Sequence, residues 1–104
     1  MVITRLKLFV FKLIPPRPTF AEDMTEQERK VMQEHVARWK DLSDRGIAIV
    51  FGPVLDPKGV WGVAIVEVAD EADARALASN DPTVKGGVGT IEIYPMSPRS
   101  IVRK

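Results

Sequence analysis

The chain has 104 residues, 45% of them hydrophobic, which is enough for one domain over residues 1–104 and too few for two. The 15 Lys and Arg residues nearly balance the 14 Asp and Glu residues, and this net charge of +1 argues against nucleic acid or an anionic membrane as a partner. The lack of cysteine excludes disulfides, a thiolate nucleophile and a sulfur-ligated zinc site, and is compatible with the cytoplasmic location that we expect.

The first predicted element is a strand over residues 3–14, which is rich in β-branched and aromatic residues and apolar on both faces. Arg5, Lys7 and Lys12 interrupt the apolar run and no small-residue cleavage site follows, so we interpret it as a strand rather than a secretory signal. No stretch approaches the roughly 20 apolar residues of a membrane-spanning helix, so we expect a soluble protein.

A long helix is predicted to begin at about Thr25, after a proline-broken loop over residues 17–23. Thr25 and Glu28 form a capping box, in which a hydroxyl and a carboxylate accept from the first free amides. Gly46 supplies the left-handed stop. One face of this helix carries the only histidine among apolar residues at three- and four-residue spacing: Val31, Met32, His35, Trp39 and Leu42.

Two strands that form a hairpin are predicted next. Residues 47–51 and 60–68 have the apolar composition of strands, and the segment 52–59 joins them. The sequence Asp-Pro-Lys-Gly, which begins at Asp56, provides the chemistry of a β-turn.

The last predicted elements are a helix and a strand. Asp70 suits the N-cap of an alanine-rich helix that finishes near residue 80. A loop over residues 81–87 leads to the fourth strand, residues 88–96, and the tail 97–104 is a candidate cover for a sheet edge.

The predicted order is βαββαβ, which is typical of a ferredoxin-like α+β fold with a four-stranded antiparallel sheet and both helices on one face. The other face is then bare although its strands are apolar, and a large exposed apolar patch is unusual in a monomer. We therefore predict a homodimer in which two sheets pack face to face, a dimeric α/β barrel. The same topology brings Arg17, His35, Asp56 and Asp81 to one end of the sheet, where loops favour a pocket.

Four segments in this order resemble the YCII-related family: PPRPTF, MTEQERKVMQEHVARWKDLSDRG, GPVLDPKG and NDPTVKGG. The resemblance covers nearly the whole chain and implies a ferredoxin-like subunit of a dimeric α/β barrel. It also implies a site built around the helical histidine and an aspartate, which by position are His35 and Asp81. Members similar to dehydrochlorinases of chlorinated hydroxyhydroquinones are known, and the wider superfamily includes muconolactone isomerase-like enzymes and cofactor-free monooxygenases of small aromatics.

His35 is the centre of the predicted site, because a neutral imidazole can take a proton from carbon or a hydroxyl and return it elsewhere. A carboxylate can orient the ring; we expect Asp81 in this role, with Asp56 as the alternative. With one histidine and no cysteine, we expect neither a metal site nor a cofactor. From helix position alone His35 fits a structural core residue, and Asp81 fits a cap or turn residue.

Three further residues are candidates for substrate binding: Arg17, Trp39 and Trp61. Arg17 has the planar fork that holds a carboxylate or phenolate, and the alternatives are a solvated charge or a pair with Glu22. Trp39 lies one turn beyond His35 and either walls an aromatic-ligand pocket or packs in the core. Trp61 has three alternative roles: it covers a sheet edge, contacts the second copy of a dimer, or forms a lid over the pocket.

The sequence therefore predicts a small cofactor-independent enzyme that carries out His/Asp acid–base chemistry. The expected reaction is an elimination, an isomerisation or a related lyase reaction on a small substrate, aromatic compounds included. The alternative is a non-catalytic small-molecule-binding or accessory module of the same dimeric fold, in which His35 tunes the pocket or the core. The expected partners are a second copy of the chain and a small ligand, with no nucleic acid and no membrane.

Overall fold

A computed structural model describes residues 6–102, so the first residues of the predicted opening strand, 3–5, lie outside the described part of the chain. The elements in chain order are β1 (Lys7–Ile14), α1 (Phe20–Asp23), α2 (Glu26–Asp44), β2 (Ala48–Val54), β3 (Trp61–Val68), α3 (Glu71–Ser79), α4 (Pro82–Lys85) and β4 (Thr90–Met96). Among these residues, none of the helices has both the length and the apolarity to cross a membrane.

The four strands form one sheet in the order β2-β3-β1-β4, and every neighbouring pair is antiparallel. β1 is central: Phe11 pairs with Ala64 of β3 on one side and with Ile93 of β4 on the other. The ferredoxin-like α+β fold predicted from the element order is therefore confirmed.

One core lies between the two long helices and one face of the sheet. Alternate residues of β1 and β3 face the helices, as the two-residue period of a strand requires. The core cluster joins these strands to α2 and α3: Phe9, Phe11, Trp39, Leu42, Ala48, Ala64, Val66, Ala74 and Ala78. Because both long helices contribute to the same cluster, they cover the same face of the sheet.

The opposite face of the sheet carries apolar residues that are accessible to solvent. Val10 pairs with Ile65 on one side and with Tyr94 on the other, and all three lie on this face. Val50 is 51% exposed and Tyr94 is 50% exposed. Leu8, on the same face, is buried. The chain alone thus leaves an apolar sheet face in contact with water.

Local signals determine where both long helices begin and where α2 ends. The Thr25 hydroxyl accepts from the Glu28 amide at 3.1 Å, and the Glu28 carboxylate accepts from the Thr25 amide at 2.8 Å, which completes the predicted capping box. Gly46 has a φ of +77°, a conformation that favours glycine after a helix. Asp70 caps α3 and accepts from the Asp73 amide at 2.9 Å.

Two segments that the sequence predicts as loops contain short helices. α1 lies within residues 17–23, where the buried side chain of Phe20 packs with Val31 and Val88. α4 lies within residues 81–87, where Asp81 is the N-cap and a proline occupies the first turn, a position that suits its fixed φ.

Strand boundaries also differ from the prediction. β2 extends to Val54, beyond the predicted end at residue 51, and β4 begins at Thr90 rather than at residue 88. An irregularity in the register between Ala48 and Val50 lets Ala48 and Phe51 both pack on the helix-facing core. Residues 97–102 are exposed and form no helix or strand, and the end of the predicted tail, 103–104, lies outside the described residues.

Candidate functional site

His35 and Asp81 meet beside the sheet. Nδ1 of His35, on α2, lies 2.9 Å from Oδ1 and 3.1 Å from Oδ2 of Asp81, which immediately precedes α4. Asp56 makes other contacts, because it accepts from the backbone amide of Lys58 at 2.9 Å and from Nε1 of Trp61 at 3.1 Å. The structure therefore joins Asp81, rather than Asp56, to the histidine.

The Asp81 carboxylate is fully buried, at 0% exposure, and is surrounded by hydrogen-bond donors. Thr83 donates to Oδ1 from its amide at 2.9 Å and from its hydroxyl at 2.6 Å. Trp39 Nε1 donates to Oδ2 at 2.6 Å, and Arg38 Nη1 donates to the same oxygen at 3.3 Å. A buried charge is tolerated when donors and an opposite charge replace water, and these side chains, together with His35, do so here.

The same donors determine the protonation state of Asp81. Burial raises the pKa of this carboxyl, but hydrogen bonds from His35 and Thr83 and the charge of protonated His35 outweigh burial and lower the pKa to about 2. Asp81 is therefore ionised at neutral pH and can only accept hydrogen bonds. A neutral His35 must then carry its proton on Nδ1, where it donates to Asp81.

The other ring nitrogen of His35, Nε2, is free. The two hydrogen bonds of this side chain both use Nδ1. Among the described residues, every buried side-chain nitrogen or oxygen has a hydrogen-bond partner, so an unpartnered Nε2 must remain accessible. The side chain is 14% exposed. His35 is thus held at one nitrogen and available at the other.

A cavity of about 250 Å³ lies between α2 and the helix-facing side of the sheet. His35 lines it, and within the described part of the chain no other lining side chain is ionisable near neutral pH. The walls are mainly apolar and include Phe11, Leu13, Phe20, Met32, Trp39 and Ile91. Across residues 6–102, no group of three or more His, Asp or Glu side chains is arranged to hold a metal ion.

Small residues of β3 help to leave this space. Gly62 and Ala64 line the cavity and pair with Leu13 and Phe11 of β1. A Cβ added at Gly62 would lie 3.2 Å from the Leu13 Cβ, which is tighter than ordinary van der Waals contact. Gly62 therefore leaves this part of the lining free of a side chain that would crowd Leu13.

Trp39 belongs to the core and also lines the cavity. Its ring packs edge-on against Phe11, with ring centroids 5.7 Å apart, and its centroid lies 6.3 Å from that of His35. Because its N–H group donates to Asp81, the indole fixes the carboxylate as well as forming a wall. Contact with a ligand stays a prediction for this residue.

Trp61 lies at the start of β3 and is half-buried. It lines the cavity, donates from Nε1 to Asp56, and has Lys12 Nζ 4.9 Å from its ring centroid. These contacts place it at the cavity, and its roles as a lid or a dimer contact stay predictions.

Arg17 does not line the cavity. Its guanidinium forms two hydrogen bonds with the Glu28 carboxylate, at 2.8 and 2.9 Å, and a third with the Asp23 carboxylate at 2.8 Å, whereas the sequence offered Glu22 as its partner. The bonds from Arg17, followed by that from the Thr25 amide, lower the pKa of Glu28 to about 2. The guanidinium group is therefore hydrogen-bonded to carboxylates of the chain itself. These bonds connect the proline-rich loop to α1 and to the start of α2.

The sequence interpretation missed Arg38 and Thr83 as donors to Asp81, and it considered Trp39 only as a pocket wall or a core residue. Arg38 and Trp39 follow His35 by three and four positions, a spacing that places all three on one side of a helix. Thr83 lies two residues after Asp81, where an aspartate N-cap finds its first amide donor. Both spacings are visible in the sequence and could have indicated a shared aspartate.

Comparisons with known proteins agree with this fold. A solved structure, the NE2512 protein of unknown function from Nitrosomonas europaea, is similar with a TM-score of 0.51 and 13% identity, over 98% of this chain and 100% of that one. At that identity the likeness shows the fold alone. No curated protein matched the chain. The family model described as the YCII-related domain matches residues 9–98, so the protein belongs to the YCII-related family.

Proposed function

We propose that the protein is a small enzyme that transfers protons on a small molecule bound in the cavity, with Nε2 of His35 as the reacting atom. One observation carries the proposal: a histidine that lines an apolar cavity has one ring nitrogen held by a buried, ionised carboxylate and the other ring nitrogen without a hydrogen-bond partner. This combination is the arrangement of a general base with an orienting partner.

The proposed step begins with a neutral ring whose proton is on Nδ1. Nε2 accepts a proton from a carbon or hydroxyl of the substrate, and the imidazolium that forms is stabilised by the Asp81 carboxylate. Asp81 stays ionised throughout, because its low pKa of about 2 makes it a poor proton acceptor.

The fate of the electron pair left on the substrate determines the reaction class. In an isomerisation the pair moves through the substrate, and Nε2 returns the proton to another atom. In an elimination the pair forms a double bond while a leaving group departs with its own electrons, and the ring later loses its proton to water. Both outcomes, and related lyase reactions, use the same first step and need no oxidant or reductant.

A panel of small aromatic and lactone compounds, incubated with the protein in deuterated water, tests the proposal by mass spectrometry. The wild-type protein is expected to convert at least one compound or to exchange its hydrogen for deuterium. His35→Gln is expected to lower the rate by about 100-fold or more, a typical contribution of a general base.

Glu34→Gln, an exposed neighbour on α2, is the matched control and is expected to keep the wild-type rate. Equal rates in His35→Gln and wild type would contradict the proposal. Binding by the wild-type protein without conversion or exchange would instead favour the non-catalytic binding module.

We also propose that the exposed sheet face pairs with a second copy of the chain. The apolar character of this face supports the pairing, since Val50, Tyr94 and Met96 are all exposed and lie on strands rather than in loops. Pairing of two such faces would bury them against each other, as in a sandwich of two sheets.

A further inference from the structure

We propose that the cavity binds uncharged, predominantly apolar molecules that carry a single proton-bearing group, and that it rejects anions. The position assigned to that group, next to Nε2 of His35, rests on the proposed function. The selectivity itself rests on the lining of the cavity.

The lining of the cavity carries no permanent charge in the part of the chain that the structure describes. Among the described residues, the lining contains no Lys, Arg, Asp or Glu side chain. Arg17, a candidate anchor for an anion in the sequence, is engaged with Glu28 and Asp23. The exposed lining residues Ala21 and Val36 are apolar as well. While His35 is neutral, an anion that entered would lose its water without gaining a counter-charge, which is strongly unfavourable.

Few polar atoms of the lining are free to bind a ligand. Besides His35, three lining side chains carry a nitrogen or oxygen: Trp39, Trp61 and Thr83. Each donates its hydrogen to a carboxylate of the chain, at 2.6, 3.1 and 2.6 Å respectively. The Thr83 oxygen could still accept a hydrogen bond, but this residue is only 1% exposed. Nε2 is therefore the one lining side-chain atom among the described residues that is free to make a strong hydrogen bond with a ligand. A ligand with several polar groups would leave the others unsatisfied.

The volume of the cavity limits the size of the ligand. Apolar cavities of about 150 Å³ are known to bind benzene. The present cavity, at about 250 Å³, has room for a fused two-ring compound or a substituted single ring. Its walls, which include Phe11 and Trp39, suit flat apolar faces.

These features also limit the chemistry. A substrate that gives its proton to Nε2 becomes an anion, and the lining offers only the newly formed imidazolium to balance it. The substrate must therefore stabilise its own anion by delocalisation, as a ring hydroxyl or a carbon next to a conjugated carbonyl does. This requirement narrows the substrate to conjugated compounds.

Binding of three compounds of matched shape tests the inference by calorimetry near pH 7: naphthalene, 2-naphthol and 2-naphthoate. The expected Kd of 2-naphthol is lower than that of 2-naphthoate by about tenfold or more, as an uncompensated buried charge implies. Nitrogen NMR should show that 2-naphthol moves the Nε2 resonance of His35. A Kd for 2-naphthoate equal to or below that of 2-naphthol would overturn the inference, as would 2-naphthol binding that leaves the Nε2 resonance unchanged.

Two variants sharpen the test. Val36→Arg introduces a cation at an exposed position of the lining and is expected to strengthen 2-naphthoate binding by about fivefold or more without strengthening 2-naphthol binding. Val36→Gln is its uncharged control. His35→Phe is expected to abolish the preference for 2-naphthol over naphthalene while naphthalene still binds. An unchanged 2-naphthoate affinity in Val36→Arg would count against the charge argument.

Failure of this inference and failure of the proposed function give different results. If the affinities follow the expected order but no bound compound is converted or exchanges a proton, the inferred ligand class is supported and the proposed enzyme activity is contradicted. If carboxylates are converted in a reaction that depends on His35, the proposed enzyme activity is supported and the inferred ligand class is contradicted.

Discussion

Asp81 carries a negative charge at a position without solvent exposure, so its contribution depends on the donors around it. We expect Asp81→Asn to lower the free energy of unfolding by about 3 kcal/mol, because an amide cannot accept from all of His35, Trp39 and Thr83. Urea denaturation measures the change. Asp44→Asn, at an exposed position of α2, is the control and should change stability by less than about 0.5 kcal/mol.

The low pKa of Asp81 predicts how stability changes in acid. The pKa falls from its ordinary value of 3.8 to about 2 on folding, so the ionised form favours the folded state. This contribution, about 2 kcal/mol, is fully present well above pH 4 and is lost as the pH falls through 2. Denaturation curves between about pH 6 and 2 measure the loss.

Glu28 titrates over the same acid range, since its pKa is also lowered to about 2. The pKa values of Asp23 and Asp56 are lowered as well, so Glu28→Gln is compared with Asp81→Asn. The acid loss that persists in Glu28→Gln and is missing in Asp81→Asn belongs to Asp81. Acid sensitivity that disappears entirely in Glu28→Gln would show that Asp81 is not held in its ionised form.

At this scale the sequence gives part of the site. Local patterns place the single histidine on the helix, and the topology indicates the end of the sheet at which it meets Asp81. The choice of Asp81 as its partner came from the family resemblance. The pairing of Arg17 with Glu28 could not be predicted, because a loop arginine that is solvated and one that pairs with a carboxylate have the same sequence pattern. Only the path of the loop brings its fork to the helix start.

At the scale of elements, α2 carries His35, and the first turn of this helix is held by the capping box. Thr25→Ala is expected to lower the free energy of unfolding by about 1 kcal/mol, because the Glu28 amide loses its acceptor. Thr25→Ser keeps the hydroxyl and should stay close to wild type. Thermal unfolding of the three proteins tests this expectation, and equal losses in both variants would contradict it.

The elements with strong local signals are those that the sequence predicts well. Capping residues and a glycine stop define α2, and their effects act within a few residues. The short helices α1 and α4 were missed because four residues are too few to show a period. The position of α1 also depends on distant contacts, those of Phe20 with Val31 and Val88.

At the scale of the whole molecule, the exposed sheet face predicts assembly. Val50→Asp places a charge on this face, and we expect it to convert a dimer into a monomer, since an unpaired charge within an apolar interface is costly. Sedimentation velocity gives the mass in solution. Gln33→Asp, on an exposed position of α2, is the control. A wild-type protein that sediments as a monomer at high concentration would contradict the proposed pairing.

The element order was sufficient to predict the arrangement of the sheet and helices. The topology favoured a pocket at this end of the sheet, but the volume and lining of the cavity could not be predicted, because they depend on how closely the helices approach the sheet. A glycine and an alanine in a strand are visible in the sequence, but the distance between layers is a property of the packed molecule.

The central claim is that His35 presents a free, unprotonated Nε2 to the cavity while Nδ1 donates to Asp81. As the chain has one histidine, a long-range proton–nitrogen NMR spectrum at alkaline pH reports on this ring alone. We predict that the neutral ring carries its proton on Nδ1 and that the Nε2 shift is that of an unprotonated nitrogen. A neutral ring with its proton on Nε2 would contradict the account, because that nitrogen could not accept a proton from a substrate.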